Sequence, residues 1–410
     1  MKYYIFSAIV QISLIMLAGC SNPVNISNPA NINSTNLEKQ LISSNQSFGL
    51  NLLTQVNETA EDSNISISPL SVSTALGMTI NGANGATYSQ MKSTLQLPGS
   101  SQTDVNQAYL NLSKTLAASD PSVSFTTANS IWSRKGLSFE QSFLNVNQQY
   151  FNAFVQSLDF TNPASVKTIN NWVNTNTDGK ITQIINNIPA DAVMYLINAI
   201  YFKANWTNKF DSSLTKQSPF LLANGTTVQC AMMYQENNFN YYRGSNYSAL
   251  QIPYGNGNFN MVIILPNSGV DVNQLLSQVD ASLLEQINTG MTMQDVKLYL
   301  PRFEMSFSTL LKNPLIDLGM VDAFSPSADF SKISNTMPLK ISDVLHKTYL
   351  KVGEKGTEAA AVTAVIIVTA VVSIPAPGLV FDVNHPFIFL ITEKNSGAIL
   401  FAGKTLNPSN

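Results

Sequence analysis

Residues 354–372 read EKGTEAAAVTAVIIVTAVV, and the interpretation of the whole chain starts from this stretch. Two acids, a base and a glycine begin it, small residues follow, and Val, Ile and Thr complete it. β-Branched residues at adjacent and alternate positions favour a strand that is buried on both faces. The uncharged run from Ala359 to Val372 is too short to span a bilayer, which needs roughly 20 residues. Because a glycine hinge and the proline-rich segment 373–378 bound this run, we expect it to be a strand in only one of two states.

The composition of the chain argues against a nucleic-acid-binding protein. The 410 residues carry a net charge of -3, and charged residues make up only 11% of them. No basic patch is present, and arginine occurs only at positions 134, 243 and 302. Helical patterns dominate the first half and strand patterns the second, without a βαβ rhythm, which is typical of an α+β fold. We expect one large domain over residues 37–410.

The first 19 residues are predicted to be a signal peptide and not part of the fold. Lys2 supplies a positive start, and residues 5–17 form a short apolar core. The tetrad Leu17-Ala18-Gly19-Cys20 resembles the bacterial lipobox, which implies cleavage before Cys20 and a diacylglycerol on its thiol. An ordinary secretory signal with an incidental cysteine is the alternative.

Residues 20–36 are predicted to be a lipidated cysteine followed by a flexible tether, since Ser, Asn, Pro, Ile and Thr follow one another there without periodicity. Ser21 follows the cysteine where an Asp would resemble an inner-membrane retention signal. We therefore expect a protein attached through its lipid anchor to the bacterial outer membrane or cell surface. Cys230, the one remaining cysteine, is expected to be a buried structural thiol.

The sequence offers no catalytic or metal-binding constellation. The chain has two histidines, His346 and His385, and a Ser-His-Asp triad would have to use one of them. His385 precedes Pro386 in an apolar segment, so His346 is the only serious candidate base. The sequence contains no Gly-x-Ser-x-Gly elbow, His-Glu-x-x-His pair, paired-cysteine site or phosphate-binding glycine loop. We expect neither an enzyme nor a cofactor.

Blocks along the chain resemble the serpin family, in serpin order, from Leu37 to the end. Residues 64–76 are similar to the family's Asn-x-x-x-Ser-Pro-x-Ser helix entry, and residues 198–210 to its strand ending in Asn-x-x-Trp. Residues 354–363 are similar to the hinge of the serpin reactive loop. Further matching blocks are Met232-Met233, Ile252-Pro253-Tyr254, residues 261–266, Pro301-Arg302-Phe303, His385-Pro386-Phe387 and residues 401–404.

This resemblance implies the serpin fold, with three β-sheets, about eight or nine helices and an exposed reactive-centre loop at about residues 354–377. It implies a suicide inhibitor of serine proteases: the loop is cut, inserts into the central sheet as a new strand and carries the acyl-bound protease with it. The expected partner is a target serine protease in a covalent complex, and the expected oligomeric state is a monomer.

The hinge suits insertion because every second residue of a strand faces the same way. If Thr357 faces inward, the small side chains of Ala359, Ala361 and Thr363 do so too, while Glu358 stays on the wet face. A charge or a proline on the inward set would oppose insertion, and none precedes Pro375. A non-inhibitory serpin remains the alternative. The predicted hinge residues are Glu354, Gly356, Thr357, Glu358, Ala359, Ala360, Ala361 and Thr363.

The family's usual spacing from Glu354 places the scissile bond between Ala370 and Val371, with Val368, Thr369 and Val372 as neighbouring candidates. All are small or β-branched, so elastase-like or subtilisin-like proteases are better targets than trypsin-like ones. A papain-like cysteine protease is the alternative target.

Five residues outside the loop match structural positions of the family. Ser68, Ser71, Asn198 and His346 resemble its hydrogen-bonded cluster beneath the place where the central strands part. Trp206 resembles the tryptophan at the top of that sheet, near the point of loop entry. The resemblance assigns His346 a structural role and not a catalytic one.

Overall fold

The structure is a computed structural model that describes residues 35–190, 192–357 and 378–409. The α-helices in these ranges are α1 (Asn36–Thr59), α2 (Pro69–Thr79), α3 (Gly85–Thr94), α4 (Gln102–Ala118), α5 (Gln141–Phe151), α6 (Ala164–Asn176), α7 (Val272–Leu276), α8 (Ala281–Gly290) and α9 (Lys312–Asp317). The first strands are β1 (Ile65–Ile67), β2 (Ser124–Arg134), β3 (Phe154–Leu158), β4 (Met194–Asn205), β5 (Lys216–Leu221), β6 (Thr227–Arg243), β7 (Tyr247–Tyr254) and β8 (Phe259–Pro266). The others are β9 (Thr292–Pro301), β10 (Phe303–Leu310), β11 (Leu345–Gly353), β12 (Gly356–Thr357), β13 (Leu379–Asp382), β14 (Phe387–Glu393) and β15 (Ile399–Thr405).

Side-chain caps begin the first two helices of the described chain. Thr35 and Glu38 form a capping box at the start of α1, which therefore begins one residue before the domain boundary expected at residue 37. Ser68 caps α2, and Pro69 occupies the first helical position, where no N–H is needed. α2 thus leaves the end of β1 directly beneath the sheet.

The central sheet has six strands in the order β10-β11-β12-β4-β2-β3. β2 and β4 are paired over a long antiparallel register, and β10 and β11 are paired along the full length of β10. β12 contributes only Gly356 and Thr357, which pair with β11 on one side and β4 on the other. Within the described ranges β4 and β11 are not paired with each other, so β12 separates the two halves of the sheet.

The remaining nine strands form a second network, with β14, β8 and β15 in its buried centre. β6 passes from one part of this network to the other: residues 240–243 pair with β7, and residues 232–241 pair with β9. The three expected sheets are therefore a central sheet and two groups joined through β6. The α+β fold class predicted from the sequence is confirmed.

Some sequence-based predictions differ from the structure or lie outside it. The apolar pattern of the sequence predicts one helix from about Val272 to Gln286, but α7 ends at Leu276 and Asp280 caps a separate α8. The sequence patterns did not predict the strands β3, β10 and β13. The predicted signal peptide, Cys20, the tether up to residue 34 and residues 358–377 lie outside the described residues. None of the helices that the structure describes is long and apolar enough to cross a membrane.

Candidate functional site at the hinge

β12 is part of the predicted hinge, and its backbone lies tightly against β4. Gly356 has φ +145°, a conformation that favours glycine, and it pairs with Asn205. A Cβ at this position would overlap with the carbonyl oxygen of Ala204 and the Cα of Asn205. Gly356 is therefore required both for its backbone conformation and for the close approach of the two strands.

Thr357 faces the core. Its side chain is 1% exposed, and its hydroxyl lies 2.6 Å from the hydroxyl of Tyr254. Tyr254 is completely buried, and this burial raises its pKa, so the phenol stays neutral and hydrogen-bonded. The first inward residue of the hinge thus already occupies a core position between β4 and β11.

Trp206 holds the turn that precedes β12. Its ring stacks on Tyr254 with centroids 4.2 Å apart, and its indole N–H donates to the carbonyl of Gly353 at 2.8 Å. Its backbone N–H donates to the carbonyl of Lys355, while that of Phe210 donates to the carbonyl of Glu354. The segment after β4 therefore donates hydrogen bonds to three consecutive carbonyls of the turn, those of residues 353–355.

Glu354 anchors the other side of the turn through its carboxylate. It accepts a hydrogen bond from the hydroxyl of Thr215 at 2.9 Å and is paired with the guanidinium of Arg302. Burial alone would raise the pKa of Glu354, but the hydrogen bonds from Arg302 and Thr215 outweigh it and hold the pKa below its ordinary value. The carboxylate is thus charged and paired at neutral pH.

A second group of side chains, the serine–histidine cluster (Ser68, Ser71, Asn198 and His346), lies deeper beneath the sheet. The backbone N–H of Ser68 donates to Nε2 of His346 at 3.0 Å, so Nε2 is an acceptor. The Ser68 hydroxyl donates to the carbonyl of Leu400 on β15 at 2.7 Å. Burial lowers the pKa of His346 to about 4, so its ring is neutral at physiological pH.

Ser71, one turn further along the chain, connects the same helix to β4. Its hydroxyl donates to the side-chain oxygen of Asn198, whose amide nitrogen donates to Oδ1 of Asn129 on β2 at 2.6 Å. The Asn129 amide nitrogen in turn donates to the carbonyl of Phe151 at the end of α5. The start of α2 therefore holds β11 through Ser68 and β4 through Ser71, one on each side of β12.

Neither histidine is arranged as a catalytic base. Nε2 of His346 accepts a main-chain N–H, and its side chain is only 5% exposed. Nε2 of His385 lies 2.8 Å from the carbonyl oxygen of Pro266. The Cys230 thiol is buried beside the carbonyl of Ser218, and burial, with a smaller effect of Asp382, raises its pKa, which suits a structural thiol and not a nucleophile.

The structure brings the sequence-predicted residues together at these two places. Glu354, Gly356, Thr357 and Trp206 meet at the top of the sheet, and the four residues of the serine–histidine cluster meet beneath it. Sequence reasoning missed the roles of Tyr254, Arg302 and Thr215; the first two stood in matching blocks without an assigned role, and nothing marked Thr215. The other predicted loop residues lie outside the described ranges: Glu358, Ala359, Ala360, Ala361, Thr363, Ala370 and Val371.

Comparison with known proteins agrees with this architecture. The family model described as Serpin (serine protease inhibitor) matches residues 43–408. The leukocyte elastase inhibitor of Sus scrofa is 35% identical, over 90% of this chain and 100% of its own length. The crystal structure of the thermophilic serpin tengpin in the native state has a TM-score of 0.83 at 32% identity, over 92% of this chain and 96% of its own. Human thyroxine-binding globulin complexed with its hormone also scores 0.83, at 31% identity, over 91% and 99%. The chain belongs to the serpin family.

Proposed function

We propose that this chain is a suicide-substrate inhibitor of serine proteases whose cut reactive loop enters the central sheet between β4 and β11. Serpins are in general protease inhibitors, and the chain carries no catalytic arrangement in its described part. The observation that carries the proposal is the position of β12, which lies between β4 and β11 and pairs with both. Two hinge residues already lie between strands that are not paired with each other, and the first inward side chain is buried there.

The register of β12 predicts which residues of β4 and β11 the rest of the loop would face if it continued as a strand. Thr357 is opposite Ala204 and Val352, and both neighbours run antiparallel to it. Each residue further along the loop would therefore face one residue earlier on β4 and on β11. Six steps on, Thr363 would face Asn198 (204 − 6) and His346 (352 − 6), so the serine–histidine cluster lies beneath this part of the proposed strand.

The same register gives Glu358 a favourable place. One step on from Thr357, its neighbours would be Lys203 of β4 and Lys351 of β11, on the outward face. Lys351 already pairs with Glu304 of β10 at 2.7 Å. A carboxylate between two ammonium groups on a solvated face needs no burial of charge. The only acidic residue in the inserting part of the loop would therefore be paired.

The proposed covalent step follows ordinary serine protease chemistry. The protease serine oxygen attacks the carbonyl carbon of Ala370, the bond to the nitrogen of Val371 breaks, and that nitrogen leaves with a proton. An ester between Ala370 and the protease remains. Insertion of the severed loop would then carry this ester away from the reactive-loop end of the sheet before water hydrolyses it.

The proposed targets are elastase-like or subtilisin-like proteases. Small or β-branched side chains flank the proposed bond, and pockets built for such side chains reject the long basic ones that trypsin-like enzymes prefer. The similarity to leukocyte elastase inhibitors supports this class. Papain-like cysteine proteases are the competing target class.

Incubation with pancreatic elastase followed by denaturing gel electrophoresis tests the proposal. We expect an SDS-stable adduct and a released C-terminal peptide that begins at Val371. The variant Thr357→Arg is the control: a guanidinium cannot occupy the buried place beside Tyr254, so the loop should be cut without adduct formation. Papain in a parallel reaction, scored by its own adduct, distinguishes the two target classes.

A non-inhibitory binding protein is the second candidate function. The similarity to thyroxine-binding globulin, which was solved with a bound hormone, favours it. This alternative predicts cleavage without an adduct in the wild-type chain for every small-residue protease tried. An adduct that forms in the wild type and disappears in Thr357→Arg would contradict it.

We also propose that the chain is lipid-anchored through Cys20 on the bacterial cell surface or outer membrane. The lipobox-like tetrad at residues 17–20 supports this placement. Expression in a bacterium with labelled palmitate, followed by detergent phase partitioning, provides the test. The wild type should carry label and enter the detergent phase, whereas Cys20→Ser should do neither; a wild-type chain without label would contradict the anchor.

A further inference from the structure

Two leucines leave apolar surface exposed at the end of the central sheet that is remote from β12, which we call its foot. Leu310 ends β10 and Leu345 begins β11, and the two are paired in the sheet register. Leu310 is 56% exposed and Leu345 is 40% exposed. Because His346 contacts Ser68 beneath the sheet, its neighbour Leu345 faces the opposite, outer side. Of the two leucines, only Leu345 borders the gap between β4 and β11, since Leu310 lies one strand further away.

The other side of the gap is also apolar at this level. One step beyond Thr363 in the proposed register, Ala364 would lie between Ile197 of β4 and Leu345 of β11. Ile197 is buried and packs with residues of α6 on the outer side of the sheet. The foot of the gap therefore presents a branched apolar side chain on each side of the place that Ala364 would take.

The loop matches the outer face of the gap in side-chain size. Where both strands carry large apolar or aromatic side chains the loop would bring an alanine, and where β4 carries an alanine it would bring a valine. The positions are Ala360 between Tyr201 and Tyr349, Val362 beside Ala199, and Ala364 between Ile197 and Leu345. A slip of two residues would keep the faces but bring Val362 or Ile366 to the place of Ala364, where three branched side chains would crowd one another. The outer face thus favours the proposed register over its neighbours.

We propose that Leu345 is a positioning residue for the inserted loop and that, together with Ile197, it receives Ala364 and Ile366. Ile366 would lie two steps beyond Ala364, where β11 has already ended, so it has space beside Leu345. Diagonal neighbours on one face of an antiparallel pair are about 7–8 Å apart, within reach of long side chains. The inference rests on the proposed inhibitory function, because it requires the severed loop to enter the sheet.

The contact would form only after cleavage, which gives the exposed Leu345 a role in the inserted state. Burial of its free apolar surface against Ile366 stabilises the sheet with the loop inserted and not the sheet of the intact chain. Leu345 should therefore favour complete insertion as far as the foot.

Thermal unfolding midpoints of the intact chain and of the chain cleaved within residues 368–372 test the proposal. Cleavage should raise the midpoint by about 3 °C less in Leu345→Ser than in the wild type, because the exposed part of the leucine is no longer there to be buried by Ile366. Leu310→Ser is the matched control. It removes the same side chain from the same outer face, but two strand spacings, about 10 Å, from the inserted strand. The gain of the control on cleavage should equal that of the wild type.

The possible outcomes separate this inference from the proposed function. A gain that is smaller in Leu345→Ser alone supports the role of Leu345. Equal gains in the wild type and Leu345→Ser, or equal losses in the two leucine variants, would overturn that role and leave the proposed function standing. A wild-type midpoint that cleavage does not raise would overturn both.

A double-mutant cycle with Ile366→Ser tests the contact itself, and its loop variant covers the case in which Leu345→Ser does not fold. Ile366→Ser should reduce the gain on its own. The double variant should lose less than the sum of the two single losses, because both substitutions remove the same contact. Strictly additive losses, or a full wild-type gain in Ile366→Ser, would contradict the proposal.

Discussion

At the scale of single residues, His346 makes stability depend on pH. Burial lowers its pKa from 6.5 to about 4, because a charged imidazole beneath the sheet would be desolvated and could not accept the Ser68 N–H. The unfolded chain therefore binds more protons between these values. The contribution of neutral His346 to the free energy of unfolding is complete above pH 6.5. About 3 kcal/mol of that free energy is lost as the pH falls to 4.

Urea unfolding of wild type and His346→Gln across pH 4–7 measures this contribution. The glutamine oxygen can still accept from Ser68 but cannot be charged. On acidification from pH 7 to pH 4, the free energy of unfolding of the wild type should fall by about 3 kcal/mol more than that of the variant, since the other groups titrate alike in both. Parallel losses in the two proteins would show that His346 is not the group responsible.

Lys404 should give the same trend as His346, a stability that rises with pH, but in the alkaline range. Its completely buried ammonium donates to the carbonyl of Glu61 at 2.5 Å and to the side chain of Asn273. Burial lowers its pKa from 10.5 to about 8, against the attraction of Glu61, Asp271 and Asp62. Because the unfolded chain binds more protons between pH 8 and 10.5, the Lys404 contribution to stability rises with pH there. The urea midpoint of the wild type minus that of Lys404→Met should therefore increase between pH 8 and 10. A difference that stays constant over this range would contradict the lowered pKa of Lys404.

The sequence could predict some of these residues and not others. Ser68, Ser71, Asn198 and His346 are far apart in the chain, and only the resemblance to a family brought them together before the structure did. Tyr254 stood in a matching block without an assigned role, and Thr215 carried no signal, because a single tyrosine or threonine is an ordinary residue in a sequence. Their roles depend on which side chains the folded sheet places opposite them, and no local pattern contains that information.

At the scale of elements, β12 depends on one glycine. Gly356→Ala would place a Cβ against the backbone of β4, in a conformation that side chains rarely adopt. We expect the two-residue strand to leave the sheet and Tyr254 to lose its partner Thr357. Hydrogen exchange of the peptide covering residues 350–357 should become faster by tenfold or more, the effect of one or two lost hydrogen bonds.

Gly353→Ala is the matched control for this prediction. This glycine lies at the other end of the same turn, and a Cβ there would meet nothing within 4 Å. Exchange in the control should remain near the wild-type rate. If both alanine variants behaved alike, the close approach of β12 to β4 would not be what holds the hinge in place.

Helices and strands with regularly spaced apolar residues were predictable from the sequence, whereas exposed or short strands were not. The apolar patterns of the sequence predict helices over residues 37–56 and from residue 69 to about 80, and strands over residues 193–202 and 387–392. The structure has α1, α2, β4 and β14 there. β3 is an edge strand with mostly exposed side chains, so it lacks the alternation that marks a half-buried strand. β13 has four residues and pairs in parallel with a strand far away in the sequence.

At the scale of the whole molecule, the register of β12 connects the hinge to the inhibitory mechanism. Glu358→Lys would place a third ammonium between Lys203 and Lys351 during insertion. We expect slower insertion and a several-fold larger share of protease that escapes, measured as a higher stoichiometry of inhibition against elastase. Glu358→Gln, which is neutral and of the same size, should stay close to wild type. Equal stoichiometries for the Lys and Gln variants would show that the proposed register is wrong.

The central claim is that the severed loop becomes a strand between β4 and β11. Its most direct test is to measure, by circular dichroism, the thermal unfolding midpoint of the chain before and after cleavage within residues 368–372. About ten new residues of sheet pairing, at about 1 kcal/mol per hydrogen bond, should raise the midpoint by roughly 20 °C or more. An unchanged midpoint after complete cleavage would contradict insertion and, with it, the inhibitory mechanism.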